Sequence, residues 1–247
     1  MIDPADSTNR HSSENAPTVP ALHDPVPHDP TLPNPVPHDP VPLIDASLGG
    51  PPALRALFTR RGPTAPEPQA ALHALSASIP WLTPRATAEQ VHGAEVAVLD
   101  GPAHVPGVDA LVTKKRDLAL AIRVADCAAI LLADPTPDGP VAAAHAGWRG
   151  AADRILSRTV HAMTELGAEP GRLLAWVSPC IGTERFEVGE EVAARFPAES
   201  VVRRSERPHV DLRGAVCREL LDLGLSPERI RCETDCTYEQ AAAWYSH

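Results

Sequence analysis

The chain has 247 residues, enough for one large domain or two small ones, and 43% of them are hydrophobic, which allows a sizeable core. Its formal net charge of −10 argues against general nucleic-acid binding, because that binding depends on Lys and Arg neutralising phosphates. The sequence has no apolar run long enough to span a bilayer, and its N-terminus lacks the apolar core of an export signal, so we expect a cytoplasmic protein without a membrane partner.

The first part of the chain differs in composition from the rest. Residues 23–42 repeat His-Asp-Pro and Val-Pro units. Proline fixes φ and removes an amide donor, so this segment favours an extended, disordered tail over a helix or a sheet. We predict a Pro/His-rich tail over residues 1–50, whose histidines are solvated. The folded domain is predicted over residues 51–247.

From residue 53 onward, apolar runs typical of buried strands mix with segments of helical spacing. In chain order we predict a strand (53–60), a helix (70–79), five strands (95–100, 109–113, 118–126, 128–134 and 140–147), a helix (150–167), a strand (171–179), two helices (188–196 and 211–225) and a last strand (229–233). Asp211 is the expected N-cap of the last helix. Because the elements do not alternate strictly, we predict an α/β (α+β) fold: a single domain with a mixed β-sheet core flanked by helices.

Three residues with metal-ligating side chains occur where apolar sequence begins or ends. His92 lies just before a predicted strand, Cys127 lies between two apolar runs, and His145 ends a third run. Sheet proteins place site residues on strand ends and adjoining loops. Two imidazoles and one thiolate form a reasonable zinc shell with an open fourth position. The spacing alone favours the alternative, in which the histidines are hydrogen-bonded within the sheet and the cysteine packs as a small hydrophobe.

Arg149 follows His145 by four residues, at the predicted start of the helix over residues 150–167. A helix N-terminus offers unpaired amides, and Gly147 and Gly150 allow a ligand to approach the backbone. The guanidinium presents two parallel donors that suit phosphate. The segment therefore predicts an anion site beside a metal ligand. The alternative is an ion pair between Arg149 and a buried carboxylate.

The five cysteines predict reduced thiols, because their number is odd and no export signal is visible. We expect Cys180 and Cys217 to be packed in the core, and the spacing of Cys232 and Cys236 is weak evidence for metal binding. A second enzyme class uses Cys127 differently. In a cysteine hydrolase, Cys127 would be the nucleophile and His145 its general base.

Seven short motifs occur in a fixed order between residue 53 and the end of the sequence. They are QVHG (90–93), DALVT (109–113), ADC (125–127), HAGWRG (145–150), SPCIG (178–182), FEVGEEV (186–192) and CTYE (236–239). Together they resemble the YfiH-type family, long labelled the multicopper polyphenol oxidase or laccase domain. The pair of ADC and HAGWRG is the most specific part of this resemblance.

The resemblance implies that zinc is bound by the His of QVHG, the Cys of ADC and the His of HAGWRG, which here are His92, Cys127 and His145. It also implies a purine nucleoside phosphorylase acting on adenosine, inosine, guanosine or methylthioadenosine together with phosphate, and a side activity as an adenosine deaminase. We expect Arg149 to contact phosphate or nucleoside. Bacterial members are also called peptidoglycan editing factors, so a zinc-stabilised protein that acts on cell-wall precursors is a further alternative.

The copper chemistry in the older family label can be checked against the residues. A trinuclear copper cluster is usually built from His-x-His pairs, and this sequence contains none. His/Cys ligation with an open position fits zinc or a single copper ion. We therefore expect zinc rather than copper, and no laccase activity. The zinc deaminase signature, His-x-Glu followed by Pro-Cys-x-x-Cys, is also absent, so deamination would need a different architecture.

Two segments depart from the family pattern. Residues 61–90 are shorter than usual and lack a Ser-Leu-Asn-Leu-Gly segment and an Asn-Arg pair. The sequence ends at WYSH (244–247), where family members tend to continue with arginines. We expect the wall of the substrate pocket formed by these segments to differ from that of other members.

Overall fold

The structure is a computed structural model that describes residues 43–45, 54–61, 75–76, 79–83, 85–204 and 206–247. Most of the predicted tail lies outside the described residues, as does most of the predicted helix over residues 70–79. Among the described residues, no helix is both long enough and apolar enough to cross a lipid bilayer.

The described residues form thirteen strands and four α-helices. The strands are β1 (Leu43–Asp45), β2 (Leu57–Thr59), β3 (Arg85–Ala88), β4 (Val96–Leu99), β5 (His104–Val105), β6 (Ala110–Thr113), β7 (Ala119–Ala121), β8 (Ala128–Ala133), β9 (Val141–Ala146), β10 (Leu174–Val177), β11 (Val201–Val202), β12 (His209–Val210) and β13 (Ile230–Cys232). The helices are α1 (Trp148–Ala152), α2 (Ile155–Glu165), α3 (Glu190–Ala193) and α4 (Leu212–Asp222).

A six-stranded mixed sheet in the order β13-β10-β8-β9-β6-β4 is the centre of the fold. The neighbouring pairs among the inner strands β10, β8, β9 and β6 are all antiparallel. The edge strands run parallel to the strands they pair with, β13 to β10 and β4 to β6. Alternate residues of β8 pack with buried residues of α2 and α4 on one face. A three-stranded parallel sheet, β5-β3-β7, packs near the opposite face, where Leu111 joins its core. Because both faces of the six-stranded sheet are covered by other elements, its central strands are apolar along nearly their whole length.

The predicted mixed α/β fold is confirmed. The strands predicted over residues 95–100, 109–113, 128–134 and 140–147 all form with ends shifted by at most one residue, as β4, β6, β8 and β9. The predicted N-cap is also present, since the carboxylate of Asp211 accepts a hydrogen bond from the amide of Gly214 at 2.9 Å.

Three expectations differ from the structure. The helix predicted over residues 150–167 is two helices, α1 and α2, because Arg154 takes a left-handed conformation at φ 63°. The strand predicted over residues 118–126 is regular only in β7. The expectation of reduced thiols is wrong for Cys217 and Cys232, which form a disulfide where α4 packs against β13.

Candidate metal centre

The three predicted ligands meet at one end of the six-stranded sheet. Cys127 immediately precedes β8, and His145 lies near the end of β9, directly opposite Ala129 of β8. Because β8 and β9 are antiparallel, the start of one strand lies beside the end of the other. His92 lies in the loop before β4, which runs parallel to β6 and therefore starts at the same end of the sheet.

The ligand atoms of His92, Cys127 and His145 all lie within 4.8 Å of one another. Donors bound to one tetrahedral zinc ion lie about 3.3–3.7 Å apart, given Zn–N and Zn–S bonds of about 2.0 and 2.3 Å, so a small convergence brings these atoms to a common ion. The two imidazole rings are edge to face, with centroids 4.8 Å apart. The cluster fits a metal ion with three protein ligands.

Asp109 orients the buried ligand. Its fully buried carboxylate lies 2.7 Å from Nδ1 of His145. Burial opposes ionisation, but the hydrogen bonds from His145 and from the amides of Gly93 and His92 outweigh it and hold the pKa of Asp109 below its usual value. An ionised carboxylate only accepts hydrogen bonds, so Nδ1 of His145 carries the proton and donates it. Nε2 is left with its lone pair for a metal, as is common for metal-binding histidines.

The same carboxylate shapes the loop that carries the exposed ligand. Asp109 accepts hydrogen bonds from the amides of Val91, His92 and Gly93 at 3.2, 2.9 and 2.7 Å. Gln90 and His92 both have φ of 61°, a left-handed conformation that costs free energy for residues other than glycine. Bonds to a buried carboxylate hold the loop in this conformation, so one side chain fixes both histidines.

Gly147 leaves the space that the ligands need. A Cβ at this position would lie 3.1 Å from Sγ of Cys127 and 3.1 Å from Cδ2 of His92. Gly150 has a different role from the predicted one: a Cβ there would lie 2.6 Å from the carbonyl oxygen of Gly93. Its missing side chain admits the backbone of the His92 loop.

The surroundings of His92 and Cys127 shift their pKa values in opposite directions. Burial, with the charges of His145 and Arg149, lowers the pKa of His92, which favours the neutral imidazole that binds metals. Burial and the neighbouring Asp126 raise the pKa of the Cys127 thiol to about 11. A cysteine nucleophile needs a lowered pKa. Without a bound cation, the surroundings of Cys127 therefore disfavour the thiolate, the form that both a nucleophile and a metal ligand require.

Arg149 is exposed at the second position of α1, where its guanidinium carbon lies 4.4 Å from the centroid of the Trp148 ring. No ion pair to Arg149 occurs among the described residues, which removes the predicted alternative of a buried carboxylate partner within that part of the chain. The guanidinium is free to meet an anion. Helix α1 has only five residues, so its dipole contributes little to an anion site. The positive charge at this position therefore comes from the Arg149 side chain.

Asp126 ties the ligand loop to the C-terminal segment. It takes a left-handed conformation at φ 71°, and its carboxylate accepts hydrogen bonds from the Thr237 hydroxyl at 2.6 Å, the Ser246 hydroxyl at 3.1 Å and the His247 amide at 2.9 Å. These bonds fix the backbone immediately before Cys127.

Sequence reasoning did not single out Asp109 or Asp126 as site residues. Asp109 begins the apolar run of DALVT, and Asp126 directly precedes Cys127 in ADC. An acidic residue beside a buried strand or a predicted ligand is the signal that could have identified both. Cys180 is fully buried in the core, as predicted.

The family model described as multi-copper polyphenol oxidoreductase laccase matches residues 69–247, and the chain belongs to this family. This confirms the resemblance seen in the motifs. A purine nucleoside phosphorylase of Deinococcus radiodurans is 45% identical over 155 residues, which are 60% of this chain and 60% of that protein. Adenosine deaminase RL5, from an unknown prokaryotic organism, is 34% identical over 175 residues, 64% of this chain and 66% of that protein. The matched stretch thus spans less than two thirds of each relative.

The fold has a solved counterpart. The crystal structure of the hypothetical protein YfiH from Bacillus licheniformis superposes with a TM-score of 0.69 at 21% identity, covering 78% of this chain and 86% of that one. This likeness supports the mixed sheet and its flanking helices.

Proposed function

We propose that the chain is a zinc-dependent purine nucleoside phosphorylase. The observation that carries the proposal is the cluster of His92, Cys127 and His145, oriented by Asp109 and adjoined by Arg149, which makes no ion pair within the described part of the chain. The name of the Deinococcus radiodurans relative supports the reaction class. The donor set of two imidazoles and one thiol supports zinc over a copper cluster.

His92, Cys127 and His145 would hold the zinc, and Asp109 would keep the His145 ring in place. When bound there, zinc supplies a Lewis acid that offsets negative charge on oxygen. Arg149 binds the phosphate through its guanidinium, which neutralises part of the charge and directs one oxygen toward the sugar. That oxygen forms a bond to C1′ of the ribose while the bond from C1′ to the purine nitrogen breaks; the bonding electron pair leaves with the purine, which takes up the proton of the hydrogen phosphate. The products are ribose 1-phosphate and the free base.

The test is adenine release from adenosine by the zinc-loaded chain, measured chromatographically with and without phosphate. We expect release that requires phosphate and yields equal amounts of ribose 1-phosphate. His145→Ala should abolish it, whereas His104→Ala, which changes an exposed histidine on β5, should leave it unchanged. Release that is independent of phosphate, or full activity in His145→Ala, would refute the proposal.

The role of Arg149 has its own test. Arg149→Ala should raise KM for phosphate by about 10–100-fold, the range expected for losing a hydrogen bond to a charged group. KM for adenosine should change much less. Arg116→Ala is the matched control, because Arg116 is exposed and pairs only peripherally with Asp138 at 3.6 Å.

Adenosine deamination is a second candidate, favoured by the name of the RL5 relative. The same chromatogram measures it, since deamination converts adenosine to inosine without phosphate. Inosine that appears with wild-type protein and disappears with His145→Ala would assign both reactions to one centre. Inosine that persists in this variant would assign it to a contaminant.

A further inference from the structure

A partly open cavity of about 110 Å³ lies on the same face of the sheet as the side chain of His145. Ala129 and Leu131 of β8 line it, and Ala129 is directly opposite His145 in the register of β8 and β9. Side chains of directly opposed residues share a sheet face. Asp126, the residue before Cys127, also lines the cavity. The cavity therefore adjoins the candidate metal centre.

Three aromatic rings form much of its wall. The centroid of Phe58 lies 5.2 Å from that of Trp176 and 5.8 Å from that of Trp244. Such rings offer flat apolar surfaces to a planar ligand. Both carboxylate oxygens of Asp126 already accept hydrogen bonds, so this residue adds no free acceptor for a cation. The lining also includes the cationic Arg123, but the three aromatic rings give this part of the cavity an apolar surface that suits a flat ring.

One wall residue has a donor without a partner among the described residues. The indole N–H of Trp176 donates to Glu233 at 2.9 Å, but the buried indole N–H of Trp244 makes no hydrogen bond within the described part of the chain. The Trp244 side chain is only 2% exposed. Buried polar groups are nearly always hydrogen-bonded, so this N–H requires an acceptor, and the cavity that Trp244 lines is the space from which one can approach it.

The spacing suits a ligand that also reaches the metal centre. Trp176 is opposite Leu131, which is two residues along β8 from Ala129. His145 on β9 and Trp176 on β10 are two strand spacings apart across the sheet, and they are offset by two residues along the strand direction. Together these steps place their backbone positions about 12 Å apart. A nucleoside is long enough to occupy this interval, with its ribose toward Cys127 and its base among the rings.

We infer that this aromatic cavity is the purine-base subsite, with the indole N–H of Trp244 donating to a ring nitrogen of the base. The inference rests on the proposed phosphorylase function for the identity of the ligand.

Calorimetric titration of the zinc-loaded chain with free adenine tests the subsite without requiring turnover. Trp244→Phe keeps an aromatic ring and removes the N–H, and we expect about 3–10-fold weaker adenine binding, as for the loss of one neutral hydrogen bond. Trp81→Phe is the control, since Trp81 does not line the cavity. Leu131→Trp fills the cavity and should abolish adenine binding while zinc content and the melting temperature stay near wild type.

The outcomes separate the two proposals. If phosphorolysis occurs but Trp244→Phe and Leu131→Trp bind adenine as tightly as wild type, the subsite is refuted and the phosphorylase stands. If phosphorolysis is absent but adenine binds and both variants weaken it, the subsite stands and the phosphorylase falls. Wild-type protein that fails to bind adenine would also overturn the subsite.

Discussion

Asp109→Asn tests whether one buried carboxylate supports the whole centre. The substitution keeps the volume of the side chain but replaces one oxygen with an NH₂ group. In the structure, Oδ1 accepts from His92 N and His145 Nδ1, and Oδ2 accepts from Val91 N and Gly93 N. Whichever way the amide is oriented, two of these four donors then face another donor.

The expected loss of folding free energy follows from the two donors that lose their acceptor. A buried polar group that loses its partner costs about 1–3 kcal/mol, so two of them cost about 2–6 kcal/mol of folding free energy. Loss of a partner that orients a metal ligand typically weakens metal binding by about 10–100-fold. We expect Asp109→Asn to lower the melting temperature and to weaken zinc binding within these ranges.

The assay pairs thermal unfolding of the metal-free protein with zinc competition against a chelating dye. Asp138→Asn is the control, because its carboxylate is 82% exposed and should change neither quantity. An Asp109→Asn protein with wild-type melting temperature and zinc affinity would show that the hydrogen bonds to Asp109 do not organise the centre.

Three further predictions concern other parts of the chain. Gly147→Ala should weaken zinc binding, because the added Cβ would crowd the sulfur of Cys127. Gly101→Ala is the control, because a Cβ there meets open space and should leave zinc binding unchanged. Equal zinc affinities of the two variants in a chelator titration would contradict this prediction. In the metal-free protein at pH 7.5, Cys127 should react with iodoacetamide about 100-fold more slowly than an exposed cysteine, since burial raises its pKa from 9.0 to about 11; rapid labelling detected by mass spectrometry would support the hydrolase alternative. Buried Asp134, paired with Arg172 at 3.0 Å, has a lowered pKa, so its stabilising effect is present above the unfolded pKa of about 3.9 and disappears as the pH falls through the folded pKa. Asp134→Asn should therefore flatten the acid side of the stability profile measured by urea unfolding; an unchanged profile would exclude this contribution.

The apolar runs after Cys127 and before His145 were sufficient to predict the strands β8 and β9, which place both residues near strand ends. The pairing of these two strands, which brings the residues together, is seen only in the structure. The convergence of His92 with them depends on the motif resemblance, since the spacing alone left packed histidines as an alternative.

Other features depend on tertiary contacts that local patterns do not encode. Asp109 acts through amides of a loop 16–18 residues earlier, held in left-handed conformations at Gln90 and His92. The break between α1 and α2 falls at Arg154, where neither Gly nor Pro marks the site, and Arg154 there pairs with the buried Glu219 at 3.2 Å. The disulfide joins a helix to a strand whose proximity requires the finished sheet.

The hydrogen bonds to Asp126 impose an order on the maturation of the centre. Thr237 and His247 lie 111 and 121 residues after Asp126 in the chain. At about 5–20 residues per second, a ribosome needs about 6–24 s to add that length, during which Cys127 and His145 already exist but the backbone beside Cys127 lacks its restraints. We therefore expect a nascent chain that lacks Thr237 and His247 to bind zinc less tightly than the full chain. Tight zinc binding would then begin only once the segment with these residues has been synthesised.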